Sequence, residues 1–145
     1  MLPTATLFCL CEKVITADDN TVSIITIMER LTIEAVSTNV PTVAPISWSI
    51  FTFWTREDDS IIEHFEQKVE GFSKETTTPF HAWVAPVNFD KGFAIAKIRV
   101  MNYGMPVSGA GRMRFTLSVR AVGDLEWHKC STVPVDILVN VPSPP

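Results

Sequence analysis

Between Arg112 and Val122 the chain alternates without a break: Arg112, Arg114, Thr116, Ser118 and Arg120 interleave with Met113, Phe115, Leu117, Val119 and Ala121. Successive side chains of a strand point to opposite faces, so this period of two demands a half-buried β-strand with one apolar and one wet, cationic face. Val133, Val135, Ile137, Val139 and Val141 repeat the pattern against Pro134, Asp136, Leu138 and Asn140. The C-terminal part must therefore be sheet.

The remaining segments point the same way. Residues 4–15 read as a first strand, and Asp18-Asp19-Asn20 supplies turn chemistry. Residues 21–27 are so rich in β-branched side chains that helix is disfavoured, and with both faces apolar they read as a central strand. Leu31, Ile33 and Ala35 extend that strand or begin another. Pro41 and Pro45 mark residues 39–45 as a linker, because proline cannot donate to a ladder. Residues 46–55 follow with two apolar faces, Ile46/Trp48/Ile50/Trp54 and Phe51/Phe53. Further strands are expected at 80–87, 93–101 and 125–131.

Residues 58–72 admit two readings. Ser60-Ile61-Ile62-Glu63 fits a helix capping box with Ile61, Phe65, Val69 and Phe72 on one face. The same residues also fit a hairpin turn at 57–60 and a returning strand with Phe65, Gln67 and Val69 on one face. A preceding strand invites an antiparallel partner, which favours the strand and leaves the helix open.

The expected architecture is an all-β, two-layer antiparallel β-sandwich spanning residues 1–145 as one domain, with a frayed tail at 142–145. Core candidates are Trp48, Phe51, Trp54, Phe115, Leu117, Val119, Ile137 and Val139. An apolar content of 46% is ample for one core, and no run approaches the ~18 apolar residues of a membrane helix. The first eight residues lack the basic start of a secretory signal, and the odd set Cys9, Cys11 and Cys130 suits reduced thiols, so a cytoplasmic location is expected.

The net charge of −4 argues against nucleic acid as a partner, although the charge is uneven. Residues 1–75 carry five Lys/Arg and twelve Asp/Glu, whereas 76–145 carry seven and four. If 93–101 and 112–122 are antiparallel neighbours, Lys97 and Arg99 join Arg112, Arg114 and Arg120 on one basic sheet face. That face is the candidate binding surface.

Catalytic and cofactor signals are absent. Cys9-x-Cys11 with His128-x-Cys130 is the one constellation with metal-ligand character, but spacing of two on flat strands separates the sulfurs, so buried thiols and no metal are expected. His64 and His81 enter no triad pattern. The acidic run from Glu57 to Glu70 lacks an EF-hand's ligand spacing, and Ser108-Gly109-Ala110-Gly111 precedes a strand rather than the helix of a phosphate loop.

Phe8-Cys9-Leu10-Cys11-Glu12, Ile24-Ile25-Thr26-Ile27-Met28-Glu29, Pro41, and the Pro-then-Gly loop of residues 104–117 resemble an uncharacterised family of small bacterial proteins. These are β-sandwiches of immunoglobulin-like appearance, described only as a domain of unknown function. The resemblance implies a fold and supplies no activity. The sequence thus leads to a non-catalytic binding or protein-interaction module without cofactor, with a protein partner or a second copy of the chain as its ligand. The alternative is a small-ligand or anion-binding protein using the basic face.

Overall fold

A computed structural model describes residues 1–34 and 42–141, which form nine strands and no helix. The strands are β1 (Thr4–Thr16), β2 (Val22–Ile27), β3 (Arg30–Glu34), β4 (Thr42–Thr55) and β5 (Glu63–Phe72). They continue with β6 (His81–Phe89), β7 (Ile95–Val107), β8 (Gly111–Ala121) and β9 (His128–Asn140). Sheet I has the order β2-β1-β4-β7 and sheet II the order β3-β9-β8-β5-β6. All pairings are antiparallel except β3 with β9, which run parallel. No described helix is long and apolar enough to cross a membrane.

One large apolar cluster is shared by both sheets. Phe8, Leu10, Trp48, Ile50 and Trp54 enter it from sheet I, and Phe65, Val69, Phe115, Leu117, Val135 and Ile137 from sheet II. The alternation in β8 assigns its faces as expected, since Met113, Phe115, Leu117 and Val119 are buried while Arg112 and Arg114 are exposed. Edge-to-face aromatic contacts join Phe115 to Trp48 and Phe80 with ring centroids 6.1 Å apart. Gly71 makes room for this cluster, because a Cβ there would fall 2.5 Å from Phe80 Cζ.

Residues 63–72 are strand, not helix. β5 lies between β8 and β6, and its buried positions Phe65, Gln67, Val69 and Gly71 follow the period of two. The helical spacing of Ile61, Phe65, Val69 and Phe72 is overridden because two neighbouring strands offer ladders to this backbone.

Several sequence expectations need correction. β2 is the edge of sheet I rather than a central strand, with Ile25 and Ile27 exposed. Phe51 is buried in a separate cluster with Cys9, Cys11 and Val14 on the outer face of sheet I, away from the shared core. Leu125 to Trp127 belong to a connection, and β9 begins at His128. Thr42 to Pro45 are part of β4, where a register shift between Ala44 and Ser47 accommodates Pro45. Residues 39–41 of the expected linker, and the tail at 142–145, lie outside the described residues.

The chain changes sheets at the end of β2. Thr26 adopts φ 54°, a left-handed conformation that β-branched residues rarely enter. Met28 N–H then donates to the Leu10 carbonyl at 2.8 Å, and Asp136 N–H donates to the Glu29 carbonyl at 3.0 Å. The first bond holds the crossing to β1 and the second to β9, so Arg30–Glu34 form a new strand in sheet II.

Candidate functional site

The five basic residues do not share a face. β7 pairs with β4, not with β8, so Lys97 and Arg99 lie on sheet I while Arg112, Arg114 and Arg120 lie on sheet II. Period-two alternation specifies which side of a strand a residue occupies, but not which strand lies next to it.

Each cation is also engaged within the chain. Arg112 Nε donates to Asp136 Oδ1 at 2.8 Å and Arg120 Nε to Glu66 Oε2 at 2.9 Å, each to its direct cross-strand partner. Arg120 and Lys68 flank the Trp127 ring, 4.2 and 4.7 Å from its centroid. Arg114 donates to the Thr76 carbonyl at 2.6 Å and lies over Phe72. On sheet I, Lys97 Nζ donates to the Asn20 carbonyl and Arg99 Nη1 to the Val14 carbonyl at 2.6 and 3.0 Å. These last two bonds clamp the β1–β2 hairpin against β7 across the outer face of sheet I.

The thiols are likewise divided. Cys9 and Cys11 are buried on β1 in sheet I, whereas His128 and Cys130 are on β9 in sheet II and exposed. Burial, with Cys11 beside it, pushes the Cys9 thiol up to about 11, and burial also raises Cys11. Neither is a ready thiolate near neutral pH. Among the described residues no group of His, Cys, Asp or Glu side chains is arranged to hold a metal ion. His64 Nδ1 lies 2.8 Å from Asn88 Oδ1, and His81 packs edge-on against Trp83, so the two are used separately.

A cleft that sequence reasoning missed opens in sheet I. β1 pairs with β4 only from Thr4 to Cys11, and its remaining residues pair with β2. Among the described residues, Thr42 to Trp48 of β4 therefore pair with β7 alone. The divergence leaves a space of about 870 Å³ bounded by the hairpin, the β2–β3 crossing, β4 and β7. Met28, Leu31, Ile46 and Trp48 give it apolar walls, and Glu12, Lys13, Arg30 and Arg99 add charge. Small Ser47 and Ser49 lie beside their cross-strand partners Tyr103 and Met101, which are 77% and 71% exposed. The one sequence signal for this site was the Met101/Tyr103 alternation, which without tertiary context reads as ordinary strand.

No protein-family model matches the chain, and no curated protein matches it.

Proposed function

We propose that the chain is a non-catalytic protein-interaction module built on an immunoglobulin-like β-sandwich, and that the cleft of sheet I is its binding surface. The strand path supports the fold reading. β4 and β7 pair as neighbours in one sheet and β5, β8 and β9 lie in the other in the order β5-β8-β9, a path compatible with an immunoglobulin-like Greek key. The parallel β3–β9 pair matches a first strand that crosses to the second sheet. Three free thiols accord with a reducing, cytoplasmic setting.

The observation that carries the binding reading is the contrast between the two outer faces. Sheet II presents Arg112 and Arg120 already matched by carboxylates, whereas sheet I presents exposed Met101 and Tyr103 beside a cleft with apolar walls in which, among the described residues, Thr42 to Trp48 of β4 have one open edge. An extended segment could bind such a site through main-chain hydrogen bonds and side-chain pockets. Capture from native lysate with wild type, Met101→Asp/Tyr103→Asp and Arg114→Glu/Arg120→Glu is the test. The partner should be lost from the first variant and retained by the second. Loss from the arginine variant alone would refute the cleft and move the binding surface to the outer face of β8.

A second reading rests on Lys13, Arg30 and Arg99 in the same cleft, which together with its apolar walls suit a small ligand with an anionic head. Binding of an aliphatic or aromatic carboxylate that Arg30→Glu abolishes would favour it over the protein partner.

A further inference from the structure

The outer face of β7 carries its side chains in a row whose chemistry changes along its length. Phe93, just ahead of the strand, and Ile95 are 63% and 49% exposed, and Lys97 and Arg99 follow at the same period of two. Facing them is the tip of the β1–β2 hairpin, with Asn20 and Val22, and between the two lies an open recess of about 420 Å³. Its floor is Val14 and Phe51, buried members of the outer apolar cluster of sheet I. The recess adjoins the cleft through Val14 and Arg99, and its other walls are its own.

Both cations are held in place above this floor. Lys97 Nζ donates to the Asn20 carbonyl at 2.6 Å and stands 5.9 Å from the centroid of its cross-strand partner Phe53. Arg99, the cross-strand partner of Phe51, donates from Nη1 to the Val14 carbonyl at 3.0 Å. Each anchor uses a single N–H, so the other donors of the ammonium and the guanidinium remain for a ligand. Long cationic side chains ordinarily lose rotamer freedom when they bind; here backbone carbonyls have already ordered them.

Their charge is unmatched. Among the described residues, Arg56, Lys68, Arg112 and Arg120 each have a carboxylate oxygen within 3.4 Å, whereas neither Lys97 nor Arg99 has one within 4.0 Å. No described acid lines the recess. The acids of the hairpin turn, Asp18 and Asp19, are exposed, and Asp19 Oδ1 accepts from Thr21 Oγ1 and N–H at 2.6 and 3.1 Å. Those two bonds are the main reason that its carboxyl lies below the ordinary value, and Lys97 contributes least. Before Phe93, Asp90 and Lys91 offset each other, and Arg56 is matched by Glu63. Two fixed positive heads beside apolar walls complement an amphipathic anion. We propose that this recess binds a small carboxylate with an aliphatic or aromatic tail, its head received by Lys97 and Arg99 and its tail lying against Phe51, Phe93 and Ile95. The proposal does not depend on the cleft.

Decanoate and phenylpropionate, titrated into the full chain below any micellar range and followed by calorimetry, test it. At least one should bind saturably, with an affinity that falls at least about tenfold in Lys97→Met and is retained in Lys97→Arg. Lys97→Met also gives up the anchor on Asn20, so Phe93→Ser is the second variant: it touches neither anchor, should melt close to wild type, and should still weaken binding. The corresponding neutral amide should bind at least about tenfold more weakly than the carboxylate. Arg30→Glu, which alters the cleft alone, should leave the affinity unchanged, so failure here and failure of the small-ligand reading of the cleft are distinguishable. Binding of neither carboxylate, equal affinity for the amide, or loss in Arg30→Glu but not in Lys97→Met overturns the proposal. Flotation with phosphatidylserine vesicles that depends on Lys97 would also overturn it, in favour of a membrane surface.

Discussion

Replacing Gln67 by leucine tests how the two sheets are joined. Gln67 projects from β5 into the core, 1% exposed, and its Oε1 accepts two hydrogen bonds from β4. Thr52 Oγ1 donates at 2.6 Å and Trp54 Nε1 at 2.8 Å. Both donors belong to residues with no exposed surface, so neither can turn to water when the acceptor is removed. A buried orphan donor costs about 1–3 kcal/mol, and two cost about 2–6 kcal/mol, partly offset because leucine brings no amide to desolvate. Gln67→Leu should therefore lose about 2–4 kcal/mol in urea unfolding at an unchanged m-value. Thr52→Val removes one donor while keeping the shape, and should cost about 1 kcal/mol. Added to Gln67→Leu it should restore stability, because one orphan disappears. Additive losses in this cycle, or a Gln67→Leu protein as stable as wild type, would refute the reasoning.

Phe115→Ala, emptying a site ringed by Trp48, Phe80 and Trp83, should cost about 3–5 kcal/mol in the same assay, whereas Thr116→Ala on the outer face of β8 should cost little. Thr26→Gly should raise stability by about 1 kcal/mol, since it relieves a left-handed conformation at a β-branched residue; a loss would show that the threonine side chain itself holds the crossing. The hydrogen bond from Arg112 holds the Asp136 carboxyl below its ordinary value, so its contribution is full near neutral pH and is lost as the pH falls below about 4. Asp136→Asn should flatten that part of a stability–pH curve by lowering the curve near neutral pH while leaving its acid end in place. Iodoacetamide at pH 8 should label exposed Cys130 in the native chain, slowly because partial burial also raises that thiol, and reach Cys9 and Cys11 only after denaturation, read by peptide mass spectrometry.

The candidate surfaces were legible only in part. The run of Arg112, Arg114 and Arg120 located the wet face of β8 correctly, but its carboxylate partners Glu66 and Asp136 stand on neighbouring strands, 54 and 24 residues away in the chain. Two of the three charges were therefore neutralised by pairings that a single strand does not reveal, while Arg114 donates to a backbone carbonyl. The cleft was missed because it arises where two strands part, and no residue pattern marks a divergence.

The sequence by itself determined that this chain is built of strands and, in most of them, which side chains point inward. Period-two alternation is local physical chemistry, and Phe115, Leu117 and Ile137 are inward in any sheet that buries them. It also excluded recognisable catalytic motifs, because those require particular residues at particular spacings. Only the tertiary structure decided that residues 63–72 are strand, that β3 leaves β2 to run parallel to β9, and that β7 belongs beside β4. Backbone ladders are almost indifferent to sequence, so the choice among neighbours is made by burying both sheets' inner faces in one core. That is a property of the whole chain and of no segment within it.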